Sequence, residues 1–241
     1  MFFTSIFTHA SYQLADSAFE VMCEGGKVLE QDERGTKVIQ LTNGNIIKVF
    51  RLRSLISGAR IYSYARRFCR NAIRLEAHGI NTVKVIKLYH FEGNSNTAVL
   101  YEPLAGETLR DVVKNNSVTA EFVEALAVFL SKLHKIGVHF HSLHTGNVVL
   151  TPDGALGLID ISDLSIYPWP LFCNTRVRSF KRLCKYQEDI KQFGLAYWQL
   201  FQGRYFAESR ISKACENKIR DANNQLIVFD KKYKADMNAK V

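Results

Sequence analysis

The stretch from Gly137 to Asp160 constrains this chain more than any other. It reads Gly137-Val-His-Phe-His-Ser-Leu-His-Thr-Gly-Asn-Val-Val-Leu150, then Thr151-Pro-Asp-Gly154, then Leu156-Gly-Leu-Ile-Asp160. Upstream, Thr119 can cap a helix carrying Phe122, Leu126, Phe129, Leu130 and Leu133 on one apolar stripe and closing near Gly137. The Thr-Pro-Asp-Gly turn predicts a hairpin that pairs Val148–Leu150 with Leu156–Ile159. The order is therefore helix, polar loop ending in Asn147, strand, turn, and strand ending in Asp160.

Before this stretch the pattern is that of a sheet. Lys27–Gln31 leads into the turn Asp32-Glu33-Arg34-Gly35, Thr36–Leu41 alternates, and Thr42-Asn43-Gly44-Asn45 is a hairpin signal. Asn45–Phe50 reads as a third strand, with Ile46 and Lys48 on one face and Ile47 and Val49 on the other. Residues 59–78 read as a helix that ends at Gly79 as a C′ glycine. Strands follow at Thr82–Leu88 and Thr97–Tyr101, and one long helix is predicted from Glu188 to Gln202. The expected organisation is an N-terminal segment, 1–26; a β-rich lobe with one helix, 27–101; a hinge and mostly helical lobe, 102–222; and a tail, 223–241, in which periodicity is lost. This is an α+β chain of two lobes with a cleft between them.

Charge adds a constraint on partners. The 241 residues carry 32 Lys+Arg against 23 Asp+Glu, a formal +9, with 47% hydrophobic residues. That composition excludes a disordered acidic tail, a collagen and a small disulfide scaffold. Seven arginines (51, 53, 60, 66, 67, 70 and 74) fall between Arg51 and Arg74 without an acid, and five further basic residues lie in Arg176–Lys185. Such runs suit an anionic partner, or else form a solvated basic face. No motif for stacking or groove-reading accompanies them, which argues against nucleic acid. The five cysteines are scattered with no CxxC. No run approaches the ~18 apolar residues of a membrane span, and no Lys or Arg precedes Lys27. The expectation is a reduced cytoplasmic protein with no zinc site, with peripheral contact at an acidic inner-membrane surface as a further option.

The order of elements around Asn147 and Asp160 resembles the kinase-like superfamily. Lys48 mid-strand in Ile-Ile-Lys-Val-Phe resembles the lysine of the third kinase strand, although an edge-strand lysine facing solvent is the alternative. Tyr101-Glu-Pro-Leu-Ala-Gly-Glu-Thr-Leu-Arg110 resembles the hinge of small-molecule kinases. Asp189-Ile-Lys-Gln-Phe-Gly-Leu-Ala-Tyr-Trp-Gln-Leu200 resembles the large-lobe helix whose Asp bonds to the catalytic-loop backbone. Phe-His-Ser-Leu-His-Thr-Gly-Asn is similar to the His-Gly-Asp-Leu-His-x-Gly-Asn loop of bacterial lipopolysaccharide-core (heptose/Kdo) kinases and the related toluene tolerance proteins. The resemblance implies a two-lobed protein-kinase-like fold. It also implies ATP held by Lys48 and by backbone near Glu102–Leu104, and Mg2+ held by Asn147 and Asp160, with an anionic glycan or lipopolysaccharide core as acceptor.

The departures from that pattern are as informative. Ser142 stands where kinases carry the catalytic Asp, and a serine cannot accept a hydroxyl proton near neutral pH. No acid lies between residues 51 and 75 to pair with Lys48, and Glu76 is the only nearby candidate. The loop between the first two strands has a single glycine, Gly35. Losing a general base costs roughly 10²–10⁴ in rate, so transfer through positioning and charge survives in principle. His141 or His144 can replace the base, or His144 organises the loop instead; His139 reads as packing. Asp163 either reaches the cleft or caps a following helix. The sequence thus supports a phosphotransferase or, alternatively, a pseudokinase that binds nucleotide and serves as a scaffold in envelope biogenesis.

Overall fold

The alternating segments of residues 27–50 form an antiparallel ladder, and the rest of a six-stranded sheet assembles on it. In chain order the elements are β1 Ser11–Leu14, α1 Asp16–Cys23, β2 Lys27–Asp32, β3 Gly35–Gln40, β4 Ile46–Phe50, α2 Tyr64–Ala77, β5 Asn81–Thr82, β6 Lys84–Phe91 and β7 Thr97–Glu102. The computed structural model describes residues 10–51, 64–115 and 117–227. It divides the chain into two units, Met1–Leu104 with Ile159–Asp163 and Ala105–Leu158 with Leu164–Val241.

In the first unit the sheet order is β1-β6-β7-β4-β3-β2. Lys48 pairs with Val38 on one side and Val99 on the other. That makes β4 an interior strand, not an edge. The period of two then sorts the side chains. Ile47 and Val49 join Leu14, Ile39, Tyr89, Phe91 and Ala98 in a core closed by Phe19 and Met22 of α1. The opposite face receives α2, whose buried Phe68 lies 6.0 Å from the Phe50 ring and 5.2 Å from that of Tyr101. Truncating such a phenylalanine to alanine costs about 3–5 kcal/mol. The helix ends as expected at Gly79, with Ile80 N–H donating to Leu75 O at 3.0 Å and Gly79 N–H to Glu76 O at 2.8 Å. Its predicted start, residues 59–63, lies outside the described residues.

β1 and α1 fall in the N-terminal segment, for which the sequence pattern predicts no element. Tyr12 and Gln13 carry little apolar signal, and β1 is recruited by parallel pairing with distant β6, Ser11 opposite Leu88. Such pairing is a tertiary event that no local pattern announces.

The second unit contains β8 Glu107–Thr108, α3 Leu109–Lys114, α4 Ala120–Lys135, β9 Val138–Phe140, β10 Val148–Leu150, β11 Leu156–Leu158, β12 Leu164–Ile166, α5 Cys173–Leu183, α6 Gln187–Phe193, α7 Leu195–Ser209 and α8 Lys213–Leu226. Thr119 caps α4 as expected, accepting from Phe122 N–H at 3.2 Å. The buried stripe of α4 is Val123, Leu126, Ala127, Leu130, Leu133 and His134. Phe122 and Phe129 are not buried, so the apolar face is rotated from the one expected. The hairpin is present, with Val148 opposite Leu158. At Gly137 the backbone turns with φ 79°, and a Cβ there would stand 2.2 Å from Tyr167 O; only glycine fits.

Three expectations are corrected in this unit. The single helix from Glu188 is two helices, α6 and α7, because Gly194 adopts φ 88° and interrupts the ladder. Arg176 does not face a partner. It is 5% exposed, donating to Leu171 O at 2.8 Å and to Tyr205 Oη at 2.9 Å. With its oxygen accepting from Arg176, the Tyr205 hydroxyl donates to His134 Nδ1 at 2.7 Å, which leaves Nε2–H to donate to Ser179 Oγ at 2.8 Å. Burial, with the Arg176 charge beside it, holds His134 well below the usual histidine range, so this knot of α4, α5 and α7 is built on a neutral imidazole. Finally, the cysteines are not all free. Cys173 and Cys215 are bonded, their Cα atoms 5.7 Å apart because α5 packs on α8. Scattered cysteines therefore no longer imply a reducing compartment. Cys23, Cys69 and Cys184 are free, and burial pushes Cys69 and Cys184 up to about 12. Among the described residues no helix is long and apolar enough to cross a membrane.

Candidate functional site

In the first unit the chemistry centres on Lys48. Its side chain leaves the interior strand β4 on the face covered by α2, and the residue is 7% exposed. A buried ammonium is tolerated only with a partner. That partner is Asp160, whose Oδ1 lies 2.5 Å from Nζ. The Phe50 ring centroid lies 5.8 Å from the same Nζ. Asp160 follows β11 with φ 53°, a left-handed backbone that aspartate adopts more readily than most residues. The turn Ile161–Asp163 behind it is tied to α2, where Asn71 Nδ2 donates to Ile161 O at 2.7 Å. The α2 helix thus braces the Asp160 turn without giving Lys48 an acid from its own residues. Glu76 is exposed at the helix end, and the carboxylate comes from Asp160. Burial, and then the Asp160 and Glu30 charges, push the Tyr101 phenol up. Asp163 leads directly into the strand β12, so it does not cap a helix. Glu102 ends β7 with its carboxylate 3.7 Å from Lys84 Nζ, and Leu104 is half-buried.

In the second unit the loop between β9 and β10 is organised by its own side chains. Asn147 Nδ2 donates to Ser142 O at 2.9 Å. That bond fixes the amide orientation, and the Oδ1 oxygen makes no hydrogen bond among the described residues. His144 Nδ1 accepts from Gly146 N–H at 3.1 Å, and its ring meets Tyr186 edge-on at 5.0 Å. Thr145 Oγ1 donates to Asp189 Oδ2, which also receives Arg110 Nε at 3.0 Å. The Arg110 guanidinium in turn lies 4.8 Å above the Tyr186 ring. Asp189 therefore holds the loop through the Thr145 side chain, not through the loop backbone that the resemblance implies. Sequence reasoning misses Arg110, Thr145 and Tyr186, because nothing marks residues so far apart as one clamp. His144 is committed to loop geometry. His141 Nε2 lies 3.5 Å from Ser165 Oγ, and its ring centroid is 4.2 Å from that of His139.

Each unit offers an oxygen of the kind a divalent cation takes. Magnesium takes few protein ligands, often one or two hard oxygens, and leaves the rest to water and phosphate. The half-exposed Asp160 carboxylate is such an oxygen in the first unit and the oriented Asn147 Oδ1 is one in the second, and among the described residues no cluster of three or more His, Cys, Asp or Glu offers a full protein cage.

The chain is of α+β class, with a sheet-and-helix unit carrying a buried Lys–Asp pair and a mostly helical unit carrying a braced Asn-bearing loop. No protein-family model and no curated protein matches it. Among solved structures it is similar to the bifunctional kinase-methyltransferase WbdD, at 16% identity and a TM-score of 0.44, over 80% of this chain and 46% of that one. The chain thus spans less than half the length of that protein, and a likeness of this size assigns no function.

Proposed function

We propose that the chain is a kinase-like phosphotransferase that binds Mg-ATP and passes phosphate to a hydroxyl of an anionic glycan, such as a lipopolysaccharide core sugar. The observation that carries this reading is Lys48 on an interior strand, buried and paired at 2.5 Å with Asp160. An ammonium so placed serves phosphate oxygens, and the carboxylate beside it serves a cation; neither is needed to hold a sheet together. Asn147 supplies a second hard oxygen, and Glu102–Leu104 supply backbone for the base. A bound magnesium ion would neutralise charge developing on the transferred group. His144 accepts from Gly146 N–H, and His141, beside Ser165, is the second candidate to take the acceptor proton.

Ser142 supports a second reading, a pseudokinase that binds nucleotide without turnover and acts as a scaffold. Two measurements separate the readings. Magnesium-ATP should raise the melting temperature, and Asp160→Ala should abolish that ligand-induced rise. A ligand at a hundredfold excess over its Kd adds about 2.7 kcal/mol, or roughly 5–10 °C for a chain of this size. No rise at millimolar nucleotide sinks both readings. Labelled ATP with purified lipopolysaccharide core should then yield labelled glycan in the wild type and not in Lys48→Met; equal labelling from both favours the scaffold.

A further inference from the structure

A second cluster of chemistry lies in the second unit around His139 and His141, and Lys48, Asp160 and Asn147 take no part in it. His139 sits in the middle of β9, opposite Ser165 of β12. It is 6% exposed and makes no hydrogen bond among the described residues; its only ring neighbour there is His141, at 4.2 Å. Among the described residues the buried side-chain atoms without a partner do not include its ring nitrogens, which therefore keep contact with solvent and with anything that binds there. α5 packs against β9. On it Arg178 and Arg182 stand one turn apart, both exposed and neither in an ion pair among the described residues; Arg178 bonds only Thr175 Oγ1, at 3.5 Å. The segment from Leu164 to Gln187 contains no acid. Burial, and then the positive charges of His141, Arg178 and Arg182, lower His139 to about 4. The other titratable group that bears on it is His134 of α4, which burial keeps neutral.

We infer that His139, His141, Ser165, Arg178 and Arg182 form a binding site for a phosphate-monoester group, next to the loop that carries Ser142. Two guanidinium forks offer paired donors to a tetrahedral dianion. The His141 ring and the Ser165 hydroxyl add donors, and His139 forms the floor. The converging positive charge, unfavourable in the empty site, is what an anion relieves. The site's place beside Ser142 gives it a use under the phosphotransferase reading, on which the identity of the ligand rests: it seats an acceptor that already carries a phosphate. The anion chemistry itself stands apart from nucleotide binding.

Histidine NMR of the full chain, without nucleotide and in phosphate-free buffer, tests this. Inorganic phosphate, glucose 6-phosphate and glucose are titrated separately. Saturable shifts of the His139 and His141 resonances are expected with the first two and not with glucose, with the His139 midpoint rising from about 4 on saturation. Arg178→Ala/Arg182→Ala should weaken binding by roughly tenfold or more, with the buried His134 resonance unchanged as a check of folding. Tighter binding of glucose 6-phosphate assigns the site to a phosphorylated sugar, and tighter binding of inorganic phosphate assigns it to the free ion. No saturable shift with either, or equal shifts in the double variant, overturns the proposal. A missing Mg-ATP stabilisation would refute the phosphotransferase reading and leave this result standing, so the two failures are distinguishable.

Discussion

Replacing Asp160 by Asn removes the counter-charge of Lys48 and little else. Asn keeps the shape of Asp and tolerates the same left-handed backbone, φ 53°. The Lys48 side chain is 9% exposed and that of Asp160 45%. Breaking a fully buried pair from one side costs about 3–5 kcal/mol, because the other charge is stranded. Here solvent reaches the aspartate side, and screening reduces the expected loss to about 2 kcal/mol. Lys48→Met removes the stranded charge instead, fills the strand with an apolar stem and leaves a solvated carboxylate. Its expected change is within about 1 kcal/mol of zero. The double variant should match Lys48→Met, which gives a coupling of about 2 kcal/mol. Asp160→Ala should lose about 1 kcal/mol more than Asp160→Asn, because alanine has no polar side chain to support the left-handed conformation. Urea unfolding monitored by far-ultraviolet circular dichroism without nucleotide measures all four variants, and for a chain of this size 2 kcal/mol corresponds to roughly 4–8 °C in Tm. If Asp160→Asn is as stable as wild type, or if Lys48→Met costs as much as Asp160→Asn, Lys48 and Asp160 do not form a buried, one-sided ion pair.

Asp189→Asn strands Arg110 and loosens Thr145; it should lower stability by about 1–2 kcal/mol and speed hydrogen exchange at the Gly146 amide, and unchanged exchange would show that the loop stands without the clamp. The His139 imidazole is lowered from 6.5 to about 4, so the folded chain binds fewer protons than the unfolded one in that window. Stability from this residue is therefore fully present above pH 6.5 and is lost as pH drops toward 4; His139→Asn should show a shallower decline in phosphate-free buffer. Thiol titration in denaturant should count the three free cysteines before reduction and two more after it. Reduction should cost up to about 4 kcal/mol on the chain-entropy account, given the separation of 42 residues, and five thiols without reductant would contradict the Cys173–Cys215 bond.

Everything legible in the sequence alone was local. Turn chemistry at Asn43-Gly44 and Pro152-Asp-Gly154, the Thr119 cap, the Gly79 helix end and the alternation through β3 and β4 each act within a few residues, and each can be read because its physics is short-ranged. From these the α+β class followed, as did the strand carrying Lys48 and the loops carrying Asn147 and Asp160. Long-range packing set what those residues touch. Lys48 meets Asp160 across 112 residues, Thr145 meets Asp189 across 44, and Cys173 meets Cys215 across 42. Packing also settled which side of an apparent basic run is structural: Arg176 is buried on Tyr205, while Arg178 and Arg182 remain exposed. One-dimensional charge and periodicity are the same for a lysine facing solvent as for one buried in a sheet. The place of β4 between β3 and β7, with α2 covering that face, takes Lys48 out of water, and only then does it require the carboxylate that the chain returns to it at Asp160.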